Sequence, residues 1–287
     1  MNWEQTIQHI RTKPEYIELV EKAYFEEDLS LNVERFRQSE EFKETLKLLK
    51  QYAPKAKRIL DIGSGNGISA VSFALEGYEI VSVEPDPSIT IGAGAIKQLK
   101  AQYGLNNLEV YESFAEDIQF PDASFDVVYS RQCMHHAYDL QKFVNEAYRV
   151  LVAEGIFFTV RDHVIYDEKD KALFLEAHPL HKYYGGENAF TRDEYQNAIK
   201  NAGFHLEKVL SHFESPINYF PLSTEEKKRK EKEHHALIQS IVKGKLKFLS
   251  GIGFINEMAA RYVSAKLIPP FDEQSIPGRL YSFISKK

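Results

Sequence analysis

The segment from Ile59 to Gly67, which reads Ile-Leu-Asp-Ile-Gly-Ser-Gly-Asn-Gly, is the feature that most constrains the fold. A short apolar run ends in glycines at positions 63, 65 and 67, and a helical pattern begins at Ile68. Glycines at such a junction allow a tight turn and let bare backbone approach a ligand. The segment therefore predicts a strand, a ligand-binding loop and a helix in that order.

From Arg58 onward, short apolar runs alternate with helical stretches, a pattern typical of repeated βαβ units. We expect an α/β, Rossmann-like fold with a mostly parallel sheet of seven strands and helices on both faces. Ligands bind such sheets at the carboxyl ends of the strands. The predicted strands are Arg58 to Ile62, Glu79 to Val83, Leu108 to Glu112, Phe125 to Ser130, Gly155 to Val160, Leu206 to His212 and Arg279 to Ser285.

Two segments fall outside this alternation. Residues 1–57 have helical apolar spacing and predict an N-terminal helical lid. Residues 215–277 are too long for a plain connection and predict a helical cap inserted before the last strand. Within that insertion, the charge run 224–233 predicts a solvated helix with ion pairs, and 236–267 an amphipathic cap. The core is then 58–214 plus 278–287.

Composition narrows the functional classes. The 287 residues carry a formal charge of -6 and one cysteine, with a pI near 6.0. We therefore expect no nucleic-acid partner and no disulfide framework. The N-terminus lacks a signal-peptide pattern, and no apolar run approaches the length of about 20 residues that spans a bilayer. These features predict a cytoplasmic monomer or homodimer without a membrane partner.

Acidic residues near the loop discriminate between cofactors. The glycines alone also fit the dinucleotide pattern G-x-G-x-x-A. Asp61 would repel a pyrophosphate, but it suits a cofactor with an ammonium group and a sulfonium centre. Glu84 ends the second strand, where an acid accepts ribose hydroxyls in either cofactor class. Glu116 and Asp117 follow the third strand and are predicted to lie at an adenine edge. This set favours S-adenosylmethionine over NAD.

These residues, with Ser124-Phe-Asp-Val-Val-Tyr-Ser130, resemble the ordered motifs of class I S-adenosylmethionine-dependent methyltransferases. The chain is most similar to the small-molecule group called methyltransferase type 11. The resemblance implies that Asp61, Gly63 and Gly65 hold the methionine end, Glu84 the ribose, and Glu116 and Asp117 the adenine. We also predict cofactor contacts for Ser64, Gly67, Pro85 and Arg131.

The implied function is methyl transfer to O, N or C of a small-molecule acceptor. Two alternatives stay open at this point. One is a tRNA or protein methyltransferase that uses the basic stretch near 227–247. The other is a protein that binds S-adenosylmethionine without methylating anything.

Residues after the fourth and fifth strands predict the acceptor side. His135 and His163 are the candidate catalytic residues, and a base is needed only for acceptors that must lose a proton. If the fifth strand ends at Val160, His163 emerges at the carboxyl edge of the sheet, and 178–187 folds over the same opening. The predicted substrate-binding residues are His136, Asp162, His178, His181 and Glu187. Packing or loop capping by these histidines is the alternative.

A metal is compatible with the residue types His163, His178, His181 and Glu187. However, Pro179 prevents a regular helical display of the two flanking histidines, and the spacing matches no metal-binding motif. The sequence analysis therefore predicts a site without a metal.

Overall fold

The computed structural model of the protein describes residues 1–245 and 271–287. These residues form one sheet flanked by helices, which confirms the predicted α/β class with a mostly parallel sheet. The strands are β1 Arg58–Ile62, β2 Glu79–Val83, β3 Leu108–Tyr111, β4 Phe125–Arg131, β5 Leu151–Ile165, β6 Phe190–Thr191, β7 His205–Leu210 and β8 Arg279–Lys286.

The strand order β3-β2-β1-β4-β5-β8-β7 places β1 beside both β2 and β4, and β6 pairs with β5 off this path. All described pairings are parallel except those of β8 with β5 and β7, which are antiparallel. The chain thus winds outward from β1 to β3 and then returns to β4 on the other side. This reversal opens a crevice at the carboxyl ends of β1 and β4.

Helices cover both faces because the central strands are apolar on both sides. Ile59 and Leu60 are neighbours on β1, yet they belong to different core clusters, as expected when successive strand residues point to opposite faces. The helices are α1 Trp3–Arg11, α2 Ile17–Lys22, α3 Leu29–Gln38, α4 Glu40–Tyr52, α5 Ile68–Leu75, α6 Ala93–Tyr103, α7 Leu140–Val150, α8 Glu168–Ala177, α9 His181–Tyr184, α10 Arg192–Asn201, α11 Pro216–Tyr219 and α12 Thr224–Lys245.

The N-terminal helices have two different environments. Phe36 of α3 packs against Phe42 of α4 with ring centroids 5.0 Å apart, and Phe42 packs against Phe73 of α5 with ring centroids 5.5 Å apart. These two helices therefore pack on the sheet as part of the core. In contrast, Trp3 of α1 and Leu19 of α2 line the cavity described below. The division of the chain into lid, core and cap stays a prediction.

The fifth strand differs from its predicted bounds. It does not end at Val160 but continues to Ile165, because β8 supplies an antiparallel partner that pairs Asp162 with Tyr281 and His163 with Leu280. The pairing is irregular between Thr159 and Asp162, where Arg161 has a positive φ of 61°. Asp162 and His163 thus lie within the strand, and the prediction that they follow it is wrong.

Smaller corrections concern the sheet edge and the insertion. Over residues 1–245 and 271–287 the sheet has eight strands where seven were predicted, since Phe190 and Thr191 pair with the extended end of β5. The strand predicted at 206–212 runs from His205 to Leu210. Residues 246–270, which hold most of the predicted amphipathic cap, lie outside the described residues. Across the described parts of the chain, no helix has the length and apolar character needed to cross a membrane.

Candidate active site

A cavity of about 740 Å³ opens at the carboxyl ends of β1, β2 and β4. Its floor is the glycine loop after β1, and its walls come from segments far apart in sequence. Trp3 and Phe25 reach it from the N-terminal helices, and Tyr184 reaches it from α9. Apolar and aromatic side chains thus share the lining with many polar and charged groups, a mixture that suits a polar small molecule.

The glycine loop is held close to β2 by backbone hydrogen bonds. The amide of Gly63 donates to Val83 O at 2.8 Å, and that of Gly65 donates to Glu84 Oε2 at 2.8 Å. Gly63 has a φ of 66°, and a Cβ at this position would overlap Cys133 Sγ. Only glycine fits this backbone, because both its conformation and its close approach exclude a side chain.

Asp61 lies at the end of β1 below this loop and is fully buried. Neither oxygen of its carboxylate has a hydrogen-bond partner among the described residues, and burial raises its pKa to about 7. An unpartnered buried carboxylate is costly unless a cationic group approaches it. The ammonium group of S-adenosylmethionine supplies such a charge, so the residues present fit this cofactor.

Glu84 lies beside the loop at the end of β2. Its oxygens accept from the amides of Gly65 and Asp86 at 2.8 and 2.9 Å, and burial raises its pKa to about 7. Each carboxylate oxygen keeps a second lone pair. Glu84 therefore both fixes the loop and retains acceptor capacity toward the cavity.

The two acidic residues that follow β3 lie in different environments. Glu116 lines the cavity, and its Oε1 accepts from the amide of Tyr138 at 2.9 Å. Asp117 is exposed and does not line the cavity. Phe114 and Tyr138 stand beside Glu116 with ring centroids 6.2 Å apart. Two aromatic rings and one carboxylate thus line this end of the cavity.

Arg131 reaches the cavity from the end of β4, but its guanidinium is already paired. It forms two hydrogen bonds with Glu41 of α4, at 2.6 and 3.1 Å, and Glu41 is fully buried. The rings of Tyr24 and Phe36 lie 5.6 and 5.4 Å from the guanidinium. Arg131 therefore connects the N-terminal helices to the cavity wall.

A second polar group, the histidine cluster, also lines the cavity and consists of His135, His136, His163 and His178 around Glu187. His135 Nδ1 is 3.0 Å from Asp162 Oδ1, and His163 Nδ1 is 2.6 Å from the carbonyl oxygen of Gly278. Burial lowers the pKa of His163 to about 4 and that of His135 well below its ordinary value. Both imidazoles are consequently neutral near pH 7.

Most of the predicted site residues line this one cavity. Those that do so are Asp61, Gly63, Ser64, Gly65, Glu84, Pro85, Glu116, Arg131, His135, His136, His163, His178 and Glu187. Four others do not contribute to the lining: Gly67, Asp117, Asp162 and His181. Gly67 caps the N-terminus of α5, and Asp162 lies behind His135.

Several residues in the cavity or next to it were not predicted from the sequence. Glu41 is one, because its partner Arg131 is distant in sequence and nothing in the amphipathic pattern of α4 marks it as functional. Asn66 is another, and its amide donates to the carbonyl oxygen of Tyr24 at 2.7 Å. Tyr184 is a third, and its hydroxyl donates to Glu187. Signals were available for Asn66, which lies between two of the loop glycines, and for Tyr184, which lies within the predicted wall 178–187.

Comparisons with known proteins find methyltransferases. A family model described as a methyltransferase domain matches residues 60–159. YcgJ, an uncharacterized methyltransferase of Bacillus subtilis, is 34% identical over 152 residues, which are 52% of this chain and 58% of that protein. A probable S-adenosylmethionine-dependent methyltransferase of Mycobacterium tuberculosis is 30% identical over 101 residues, 35% of this chain and 34% of that protein.

A solved structure shares the fold. Geranyl diphosphate C-methyltransferase from Streptomyces coelicolor, in complex with Mg²⁺, geranyl diphosphate and S-adenosyl-L-homocysteine, superposes with a TM-score of 0.55 at 12% identity. The match covers 86% of this chain and 79% of that one. The two curated relatives are matched over 58% and 34% of their own lengths.

Proposed function

We propose that this chain, whose residues 60–159 match a methyltransferase domain, is a class I S-adenosylmethionine-dependent methyltransferase that transfers the methyl group to a small-molecule acceptor. The observation that carries the proposal is the buried, unpartnered carboxylate of Asp61 in a cavity that also contains the histidine cluster. The cavity thus has an anionic side for a cationic cofactor and a separate polar side for an acceptor.

On the donor side, Asp61 and the amides of the glycine loop are placed to hold the amino-acid end of the cofactor, and Glu84 to hold its ribose. The cofactor supplies an electrophilic methyl group on a sulfonium. Glu116, Phe114 and Tyr138 form the remaining wall of this side. The protein contributes alignment of donor and acceptor and exclusion of water, which are the main requirements of an in-line displacement.

On the acceptor side, we propose His135 and His163 as the residues that prepare the acceptor. Asp162 fixes the ring of His135 from behind, at 3.0 Å, and thereby directs Nε2 toward the cavity. A neutral imidazole held in one orientation is able to take a proton or to bind an electrophile. His136, His178 and Glu187 complete the proposed substrate wall.

The size of the cavity supports a small acceptor over a macromolecule. Trp3, Phe25 and Tyr184 line a space of about 740 Å³, which lies in the usual range for a small-molecule site. The basic residues of α12 are interleaved with acids, as in the ion pair between Lys227 and Glu231, which suits a solvated helix better than an RNA surface. The cytoplasmic location and the monomeric or dimeric state also remain proposals.

The test is calorimetric titration of the full chain with S-adenosylmethionine, followed by a mass-spectrometric screen of metabolites with methyl-labelled cofactor. We expect binding at one site per chain and one metabolite that gains a labelled methyl group. A folded protein that does not bind the cofactor would overturn the proposal. Cofactor binding with no methylated metabolite in the screen would favour a protein that binds S-adenosylmethionine without methylating anything. Salt-dependent retention of RNA would favour a tRNA methyltransferase.

A further inference from the structure

The histidine cluster contains an arrangement that methyl transfer by itself does not require. His178 Nε2, His135 Nε2 and His136 Nε2 lie 3.6, 3.8 and 4.0 Å from the nearer carboxylate oxygen of Glu187. These separations exceed the usual hydrogen-bond range. The nitrogens and the carboxylate therefore face one another across a gap instead of bonding directly.

The rings are fixed in the orientation that metal-binding histidines adopt. Nδ1 of His163 faces the carbonyl oxygen of Gly278 at 2.6 Å, and Nδ1 of His136 faces that of Gly186 at 3.2 Å. A carbonyl oxygen only accepts, so Nδ1 carries the proton and Nε2 has a free lone pair. Oδ1 of Asp162 likewise lies 3.0 Å from Nδ1 of His135. Oxygen acceptors behind ligating imidazoles are typical of metal sites.

The distances suit a single ion. His135, His163 and Glu187 each offer one ligand atom, and these three atoms lie within 4.8 Å of one another. Tetrahedral ligands with bonds of about 2.0–2.1 Å lie roughly 3.4 Å apart, which small side-chain rotations would reach from this starting geometry. The hydroxyl of Tyr184 donates to Glu187 Oε1, so that Oε2 remains available on the side of His135.

We propose that His135, His163 and Glu187 bind one divalent transition-metal ion of the zinc class and leave one position open to the cavity. Two imidazoles and one carboxylate suit Zn²⁺, whereas Mg²⁺ prefers oxygen ligands in an octahedron. Three protein ligands and an open position are typical of catalytic rather than structural zinc. This reverses the prediction from sequence, in which the spacing of these residues gave no support for a metal.

The site goes beyond the proposed function and stands without it. If the proposed function also holds, the open position selects the acceptor class, because an ion lowers the pKa of a bound hydroxyl or thiol. Such an acceptor would bind as the anion and release its proton to solvent, because the free Nε2 lone pairs of His135 and His163 would be bound to the ion and no longer able to take a proton. Its oxygen or sulfur would then form the new bond to the methyl carbon as the bond from carbon to the sulfonium breaks.

The experiment measures zinc bound to the full chain after removal of any histidine tag and treatment with a chelator. Zinc chloride is titrated against a chromophoric competitor, and bound metal is counted by mass spectrometry after dialysis. We expect one zinc per chain and no competition from magnesium chloride. Absence of stoichiometric zinc in the wild-type protein would overturn the proposal.

Variants locate the ion. Glu187→Gln and His163→Ala should weaken zinc binding by more than about 100-fold, and Asp162→Ala by about 10- to 100-fold through loss of the contact that orients His135. His205→Ala is the matched control, because the His205 ring is exposed, lies outside the cavity and has its Nδ1 3.2 Å from Glu207 Oε1. Zinc binding that is equal in Glu187→Gln and the wild type would also overturn the proposal.

A separate readout distinguishes this proposal from the methyltransferase proposal. Circular dichroism and S-adenosylmethionine titration of Glu187→Gln should match the wild type, because Glu187 faces the histidine cluster and not Asp61. Loss of zinc with retained cofactor binding supports the metal site independently of catalysis. Cofactor binding without zinc in the wild type would overturn only the metal site.

Discussion

The two sides of the cavity are built in opposite ways. The donor side takes Asp61, the glycine loop and Glu84 from two successive strands of one βαβ unit, joined by α5. The histidine cluster takes its members from the end of β4, from within β5 and from the segment after α8, and Gly278 before β8 holds one ring in place. A contiguous segment dictates the first site, whereas long-range packing assembles the second.

The two sides also differ in charge. Burial raises the pKa of Asp61 and of Glu84 to about 7, whereas it lowers the pKa of His163 to about 4. The donor side is therefore anionic above neutral pH, and His135 and His163 are uncharged there. One side attracts a cation from solution, and the other presents nitrogen lone pairs.

Removing the charge of the donor side should give the largest contrast between the two regions. Asp61→Asn should weaken S-adenosylmethionine binding by about 10- to 100-fold, the range for one lost charge-assisted hydrogen bond. Calorimetry would check this result against Asp193→Asn, a matched change at an exposed position of α10. Equal losses in Asp61→Asn and Glu187→Gln would break the comparison, because the latter residue belongs to the other side.

The pH dependence of cofactor binding should be the next largest effect. Asp61 and Glu84 have pKa values raised to about 7, and a bound cation stabilises the ionised form. Affinity should therefore fall by about tenfold or more between pH 8 and pH 6 as these carboxylates take up protons. Asp61→Asn should show a shallower slope that belongs to Glu84. An affinity that rises toward pH 6 would contradict the assignment.

The same pKa shift predicts a change in the stability of the cofactor-free protein. A carboxyl whose pKa is raised on folding destabilises the native state as pH rises through the window from about 4 to about 7. Asp61→Asn should consequently melt at a higher temperature than the wild type at pH 8, and the difference should shrink at pH 5. Thermal unfolding at the two pH values measures this, with Asp193→Asn as the reference.

Substitutions in the acidic pair after β3 should have the smallest effect on cofactor affinity. They test which of the two carboxylates belongs to the donor side. Glu116→Ala should weaken cofactor binding by about threefold, because one modest hydrogen-bonding group is lost at the cavity wall. Asp117→Asn should change nothing, since Asp117 faces solvent. A larger loss in Asp117→Asn than in Glu116→Ala would show that the two side chains exchange places when the cofactor binds.

Much of the fold follows from local patterns. The apolar runs of β1, β2 and β4 and the helix after the glycine loop lie where the sequence predicts them, because hydrophobic periodicity and glycine conformation are local properties. The extension of β5 was not predictable in this way. It depends on β8, a strand more than 100 residues later in the chain, which supplies backbone partners to Asp162 and His163.

The same distinction between local patterns and long-range contacts applies to the candidate site. Asp61 and Glu84 were identified from their positions at strand ends, where topology alone brings carboxyl termini together. Asp162 was predicted to touch substrate, but the structure places it behind His135, because residues that alternate along a strand face opposite sides. Glu41 carried no signal, since an ion pair between α4 and β4 exists only after the helix packs on the sheet.

The sequence alone determined the α/β architecture, the donor loop and the charge that selects its cofactor, since each depends on residues close together in the chain. Tertiary structure decided which of the scattered histidines converge and where their free nitrogens point. Hydrogen-bond acceptors on β5 and before β8 fix those rings, and no spacing along the chain encodes such contacts. The identity of the donor is therefore a local property of this protein, and the chemistry available to the acceptor is a property of its packing.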